Sequence, residues 1–449
     1  MKNNKIKPPR LAEFLLKFFA PDNYRNVSPG DFEEVYNQIF LNKGRMRARV
    51  WYWFQILRSV VPFLKESFYR SINMFRNYFI VALRNLKRNK VYSLLNVMGL
   101  AIGITAFLFI ALDIQYELSY DRYHDNADNI YRVAMERPGQ VYQGSNKYAG
   151  TPGALAQAMV DDFPEVESGA RVFIWSRGEQ ILQQGEKAIK ENLHYADPQI
   201  FDVFTIPFLK GEPETALRDP WSLVISEQLA AKYFGDEDPI GEVYSFQGRY
   251  TLTITGVFKT MPQNSHFTMD MITPMETFFQ LGGWGRDWNS SYCKTYILLG
   301  ENEDPEELET KFPAFMDNHM YRDSDVEDSM KERLYLQPLT SIHLSSHINS
   351  EFKANYDMKN IYLFSSVGLL IIIIACMNYM NLATTRAIKR SKEVGMRKVA
   401  GAKRGQLIKQ FLGESVVLTM IALILSMILV YIILPRFSSY LGKDLNLNP

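Results

Sequence analysis

Cysteine and histidine are scarce in this chain of 449 residues, which has two cysteines, Cys293 and Cys376, and six histidines. One thiol lies in an acidic block and the other in an apolar run, so no disulfide framework is available and both are expected to stay free and structural. The histidines include one pair at helical spacing, His343 and His347, with no companion Glu in the zinc-protease order. A four-coordinate metal site needs more ligands than that stretch offers. No Gly-rich loop ends in Gly-Lys-Ser or Gly-Lys-Thr, which excludes phosphate-loop ATP binding by this polypeptide, and no nucleophile-elbow Ser is present. The acidic runs Asp236 to Asp238 and Glu301 to Glu309 lack the alternating ligands around a Gly that a calcium loop uses. They read as solvated loops and helix faces. The chain is expected to be non-enzymatic, with no catalytic residues, cofactor or metal.

Charge is absent from three long stretches, Val91 to Leu112, Asn360 to Thr385 and Ser415 to Pro435. A helix needs roughly 20 apolar residues to cross a bilayer, so each reads as a span. Buried core helices are the bland alternative, and the unbroken apolar run Gly368 to Met377 speaks against them. Proton and ion pathways use ionisable groups inside the membrane, so their absence from the spans disfavours a pump or secondary transporter. Glu414, at the mouth of the third span, is read as charging a helix start. In the first span Gly99 and Gly103 form a small-xxx-small face for helix packing.

The net charge of +1 conceals a separation: Gln115 to Asp357 holds 39 acidic and 20 basic residues, leaving 10 acidic and 30 basic elsewhere. A membrane sorts charge this way by retaining Lys and Arg on the cytoplasmic side, which also weakens a nucleic-acid reading. Arg84, Lys87, Arg88 and Lys90 precede the first span while Asp113, Glu117 and Asp121 follow it, so the amino terminus is expected in the cytoplasm. The second span then runs inward to Arg386, Lys389, Arg390, Lys392, Arg397, Lys398, Lys403, Arg404 and Lys409, and the third returns outward. The stretch Leu11 to Ala20 is interrupted by Glu13 and Lys17 and precedes no small-residue cleavage site, so the first span is expected to be an uncleaved anchor.

The fold class expected is an α-helical membrane protein with a large mixed α/β (α+β) extracytoplasmic domain and three transmembrane helices. Residues 1–67 read as cytoplasmic helices, at Arg10 to Phe19, Asp31 to Phe40 and Arg47 to Leu64, and residues 68–90 as an interfacial amphipathic elbow touching membrane lipids. The spans occupy 91–114, 360–385 and 412–435, with the outer domain at 115–358 and a basic cytoplasmic hinge at 386–411. In the outer domain, strands are expected at Ile130 to Ala134, Leu223 to Ile225, Tyr250 to Val257 and Thr295 to Leu299. Helices are expected at Thr151 to Asp162, Glu227 to Phe234 and Pro305 to His319, and Ser265 to Ser329 reads as a variable insert.

The segment Asn381 to Gln410, NLATTRAIKRSKEVGMRKVAGAKRGQLIKQ, resembles the coupling region of the MacB/FtsX-like permeases of ABC transporters. Arg390, Glu393, Val394, Gly395, Met396, Arg397, Gly401 and Ala402 follow that family's pattern in order. A merely positive-inside loop explains the charges but not the Glu-Val-Gly order or the Gly-Ala ending. Glu393 and Arg397 stand at i,i+4 on a short helix, and Gly401 suits a left-handed stop. Further landmarks resemble the family's periplasmic core domain: Asp197-Pro198 to Phe204, Tyr233 to Gly241, Thr255-Gly256-Val257, Asn264-Ser265-His266 and Ile342-His343-Leu344. Gly30 to Glu34 and Trp51 to Gln55 resemble a permease prefix domain. The family unit has four spans, of which this sequence shows three.

The resemblance implies a permease subunit in the cell inner membrane, multi-pass, with its large domain in the periplasm. It implies a separate cytoplasmic ABC ATPase on the 386–411 hinge, a second permease unit or homodimer, and a periplasmic adaptor or outer-membrane protein as partners, with no nucleic acid. The activity implied is efflux or extrusion by mechanotransmission, with drugs, peptides, lipoproteins or no cargo as the alternatives. A membrane-anchored sensor with a ligand-binding outer domain is the rival reading.

Overall fold

The computed structural model describes residues 8–9, 11, 28–55, 57–58, 80, 84, 90–174, 179–283, 285–322, 324–389, 391–401 and 404–445. Apart from Leu11, the expected helix Arg10 to Phe19 lies outside the described residues, as do the elbow Phe68 to Leu86 except for Ile80 and Arg84, and Arg390 and Ala402. Two compact units divide the chain, one of Met1–Thr105 with Ile372–Leu429, the other of Ala106–Ile371 with Val430–Pro449.

In the first unit, helix Ser28–Lys43 turns at Gly44, φ +84°, into a second helix over residues 45–55. Tyr36, Ala48 and Tyr52 are buried between them, with the two tyrosine rings edge to face at 5.6 Å. The long helices Lys90–Leu118, Met358–Lys389 and Arg404–Leu441 each contribute part of their length to this unit. Within them, Ser93–Leu118, Met358–Thr385 and Leu407–Leu441 are long and apolar enough to cross a membrane. Val97, Leu100, Ala101, Ala375, Leu418 and Ala422 form the seam where the three meet. Small side chains suit such a seam, because helices in lipid associate through close backbone packing rather than through the hydrophobic effect.

The second unit is built on a mixed sheet of fourteen strands among the described residues. Its first half is antiparallel: Arg333–Pro338 pairs with Ile130–Glu136, that strand with Ser291–Leu299, and Ser291–Leu299 with Val166–Ile174. The path continues through Leu193–Ala196, Met271–Pro274, Ser222–Ser226 and Tyr250–Phe258, and closes with Val243–Phe246, Gln180–Gln184 and Lys187–Glu191. Two of these neighbouring pairs, Leu193–Ala196 with Met271–Pro274 and Ser222–Ser226 with Tyr250–Phe258, are parallel. Crossovers supply the helices that cover the sheet. Leu155–Asp162 and Pro305–His319 pack over one core, and Glu227–Phe234 and Met275–Gln280 over another.

Helices Glu227–Phe234 and Pro305–His319 have the ends that the sequence predicts, because both carry explicit caps. Leu229 N donates to Ser226 Oγ at 3.2 Å, Glu306 N donates to Asp304 Oδ1 at 2.9 Å, and Gly235 at φ +60° stops the first of them. Three expectations are corrected. The helix expected from Thr151 begins at Leu155, because Thr151–Pro152 is a strand against Ser291–Leu299, with Thr151 Oγ1 donating to Cys293 O at 3.1 Å. Ser265 to Ser329 is no insert: it supplies Met271–Pro274 and Ser291–Leu299, two interior strands. Glu414 does not charge a helix start, since its helix begins ten residues earlier at Arg404 and the dipole acts only over the first turn.

Candidate functional site

Of the predicted coupling residues, Glu393, Val394, Gly395, Met396 and Arg397 fall on a short helix, Ser391–Val399, between the second and third long helices, and Gly401 lies just past its end. Ala400 N donates to Met396 O and Gly401 N to Lys398 O, both at 3.0 Å, and Gly401 then adopts φ +91°. Only glycine enters that conformation without steric cost, so Gly401 ends the helix. Val394 is half-buried, whereas Met396 and Val399 are 69% and 92% exposed. At Gly395 no described atom lies within 4 Å of where a Cβ would stand. The segment therefore offers an open, partly apolar surface flanked by Lys392, Arg397 and Lys398.

Arg397 Nη1 donates to Gln410 Oε1 at 2.8 Å, and Gln410 Nε2 donates to Glu414 Oε1 at 3.3 Å. This relay ties the short helix to the third long helix. Gln410 and Glu414 carried no predicted role in it. A signal was present, however: Glu414 is the single acid between Glu393 and Asp444, and it is only 6% exposed. A carboxylate at that depth calls for a polar partner.

At the packing glycines of the first helix, a Cβ on Gly99 would stand 3.0 Å from Asn378 Nδ2, and Gly103 is buried. The second helix thus approaches Gly99 closely.

In the second unit, a partly buried ion cluster joins three elements. Lys443, in the turn after Leu441, sits 2.5 Å from Asp113 Oδ1 and 2.6 Å from Glu117 Oε1. Glu117, 2% exposed, also pairs through Oε2 with His343 Nε2, from the helical turn Ile342–Ser345. The His343 ring stacks on Tyr120 at 3.3 Å. Gly442 at φ +64°, the bond Lys443 N to Ser438 O at 3.1 Å and the Ser438 Oγ–Lys443 O pair aim the lysine back at the first helix. Burial opposes its charge, yet the two carboxylates raise the Lys443 ammonium above its ordinary range.

Three further buried networks hold the outer domain. Asp121, at φ +58°, lies 2.9 Å from His266 Nδ1, and His266 Nε2 is 2.8 Å from the Tyr296 hydroxyl. Burial pushes the Asp121 carboxyl up, but His266 and its hydrogen bonds outweigh it and hold the group below the usual carboxylate range. Although the order Asp–His–hydroxyl is that of a nucleophilic relay, Tyr296 is fully buried, so the chain ends in the core and not in a cleft. Arg132 is fully buried against Glu351, Gln337 and Ser346. Arg171 grips Asp197 through Nε and Nη2, both at 2.7 Å, and donates Nη1 to Gly153 O. Cys293 is buried and free, with its thiol pushed up to about 12 by burial, and Cys376 is free and exposed.

Three apolar helices and a large mixed α/β domain between the first two make this a polytopic membrane protein with an extracytoplasmic domain. Residues 93–315 match the MacB-like periplasmic core domain, and residues 365–449 the FtsX-like permease C-terminal family. The chain belongs to the MacB/FtsX-like permeases of ABC transporters. It is 21% identical over 373 residues to the macrolide export ATP-binding/permease protein MacB of Neisseria meningitidis serogroup A, covering 79% of this chain and 52% of that protein. It is 24% identical over 362 residues to the ABC transporter permease YknZ of Bacillus subtilis, covering 76% of this chain and 82% of that one. The chain spans about half the length of the MacB relatives it matches. Among solved structures, the periplasmic region of MacB from Actinobacillus actinomycetemcomitans is similar, at 14% identity and a TM-score of 0.36, covering 48% of this chain and 91% of that one.

Proposed function

We propose that this chain relays motion from a separate cytoplasmic ATPase to its own extracytoplasmic domain, as the permease subunit of an efflux or extrusion system in the inner membrane. The amino terminus and the 386–411 segment face the cytoplasm, the ATPase docks on Arg390 to Ala402, and a second permease unit completes the membrane assembly. What carries the reading is the Ser391–Val399 helix: it is stopped by Gly401, leaves Met396 and Val399 bare, and is tied through Arg397, Gln410 and Glu414 to the third long helix. A loop needed only to anchor topology has no use for a rigid stop or for apolar side chains held in water. A docked subunit covers them, and the relay passes its push into the helix.

Arg397→Glu tests this. It replaces the Gln410 donor with an acceptor and puts a carboxylate four residues after Glu393, while the apolar spans stay intact. Insertion is expected to survive. Copurification of a cognate ATP-binding subunit coexpressed with the chain, and the hydrolysis it shows with the permease, are expected to fall about tenfold, the equivalent of ~1.4 kcal/mol at the contact. Undiminished copurification and hydrolysis at normal expression overturn the docking assignment and favour a membrane-anchored sensor.

A further inference from the structure

In the second unit, one face of the first long helix stays apolar further out than its neighbour. Phe107, Ile110, Ile114 and Leu118 recur at three- and four-residue spacing along one side, whereas Asp113 and Glu117, on another side, are taken up by Lys443. The apolar side lines an open groove of about 530 Å³ whose opposite wall includes Gly368 of the second helix. A Cβ at Gly368 would stand 3.4 Å from Ile110 Cγ2 and from Phe107 Cδ2, in ordinary contact, so a longer side chain there has only the groove to enter. From Phe107 to Leu118 it follows the helix for about 16 Å at 1.5 Å per residue. That is close to one leaflet of a hydrocarbon core roughly 30 Å thick. Leu118, 43% exposed, closes the apolar part.

Above Leu118 the groove ends on Arg122. Its Nε donates to Leu118 O at 3.0 Å, which folds the side chain back over the last turn, and among the described residues its guanidinium makes no ion pair. We propose that the groove holds an acyl chain of a phospholipid from the extracytoplasmic leaflet, with the lipid phosphate on Arg122. A guanidinium matches a phosphate through paired N–H donors, and apolar length directly below a cation is the layout of a lipid rather than of a free anion. A second copy of this chain fits less well, because the carboxylates at that level, Asp113 and Glu117, are already paired with Lys443. The site is independent of ATPase docking and stands or falls without it.

The test uses the full chain, purified in mild detergent and loaded with palmitoyl-oleoyl phosphatidylglycerol, with bound lipid counted by native mass spectrometry after washing. Arg122→Gln, which alters an exposed side chain and no packing, is expected to lower retained lipid about fivefold, the scale of one basic residue near a membrane surface. Arg122→Lys is expected to keep most of it. Gly368→Leu fills the groove and is expected to remove the lipid although Arg122 remains. Equal retention in all variants overturns the proposal. Loss with Arg122→Gln but not with Gly368→Leu reduces it to a headgroup contact and overturns the acyl-chain assignment. A spontaneous disulfide-linked dimer of Leu118→Cys, in a Cys376→Ala background in native membranes, puts a second copy in the groove and also overturns it.

Discussion

At the scale of single residues, the outer domain contains titrating groups that burial has fixed in one state. His124 accepts from Thr205 N through Nδ1 at 3.1 Å, and its buried Nε2 has no partner. His194 is buried likewise, on the strand Leu193–Ala196, with Nδ1 unpartnered. Burial pulls both imidazoles down to about 4. An unfolded histidine takes its proton near about 6.5, so between that value and about 4 the unfolded chain binds protons that the folded chain refuses. Stability therefore falls as pH drops through this window, by on the order of 3 kcal/mol for each histidine. The Asp121 carboxylate acts at lower pH: its folded value is depressed, so its contribution is present above the ordinary carboxylate range and is lost as pH falls through the folded value. Fluorescence-monitored thermal melts of the full chain should show a midpoint that declines from pH 6.5 to 4.5, with a shallower slope in His194→Leu. A flat profile across that interval contradicts the assignment of both imidazoles as neutral. None of this was legible beforehand. The sequence marks six histidines, but which of them lose contact with water depends on strands paired across the whole domain.

At the scale of elements, Gly401 and Gly395 sit in one short segment and have opposite requirements. Gly401 stands at φ +91°, where a β-branched side chain is strained by about 1–3 kcal/mol. Gly395 lies inside the Ser391–Val399 helix with free space around it, where alanine should stabilise the helix by roughly 0.5–1 kcal/mol. Gly401→Val is therefore expected to loosen the segment and reduce ATPase copurification. Gly395→Ala should stiffen the helix, and if it also reduces copurification, the glycine serves close approach of the partner rather than flexibility. Limited proteolysis at Lys398 and Arg404 reads the local stability separately: cleavage should accelerate in Gly401→Val and slow in Gly395→Ala. No change in either variant means that the segment is not a helix with a glycine stop in the membrane. Elements with local punctuation were legible in advance, as Ser226 with Gly235 and Asp304 with Pro305 show. Thr151 and the stretch Ser265 to Ser329 were misread because their structure is set by partners 142 residues away at Cys293, or by strands inserted into the middle of the sheet. The short helix Ser391–Val399 and its Gly401 stop were legible because their order is local. Its relay through Gln410 to Glu414 joins two helices, and periodicity along one helix does not reveal that.

At the scale of the whole molecule, the third long helix carries a polar contact at each end. Arg404–Leu441 is 38 residues, about 57 Å of helix at 1.5 Å per residue. Gln410 and Glu414 receive Arg397 near its start, and Lys443, just past its end, holds Asp113 and Glu117 of the first helix, with His343 of the outer domain on the same carboxylate. If the proposed relay runs along this helix, a push entering at the first contact leaves through the second, where charged groups join the helix end to the first helix and the outer domain. The two contacts should therefore fail differently. Lys443→Met leaves the coupling helix untouched, so ATPase copurification and hydrolysis are expected to persist, while the efflux or extrusion phenotype is lost. Arg397→Glu should lose both. Because Lys443→Met also leaves the buried Glu117 and the partly buried Asp113 without their lysine, it costs stability, and the pairing of Lys443→Met with Glu117→Gln and Asp113→Asn removes that penalty. If the triple variant recovers the thermal midpoint of the wild type but not its transport, the ion cluster transmits force. If it recovers both, the cluster only holds the fold together, and the outer domain must be driven from the first or second helix instead.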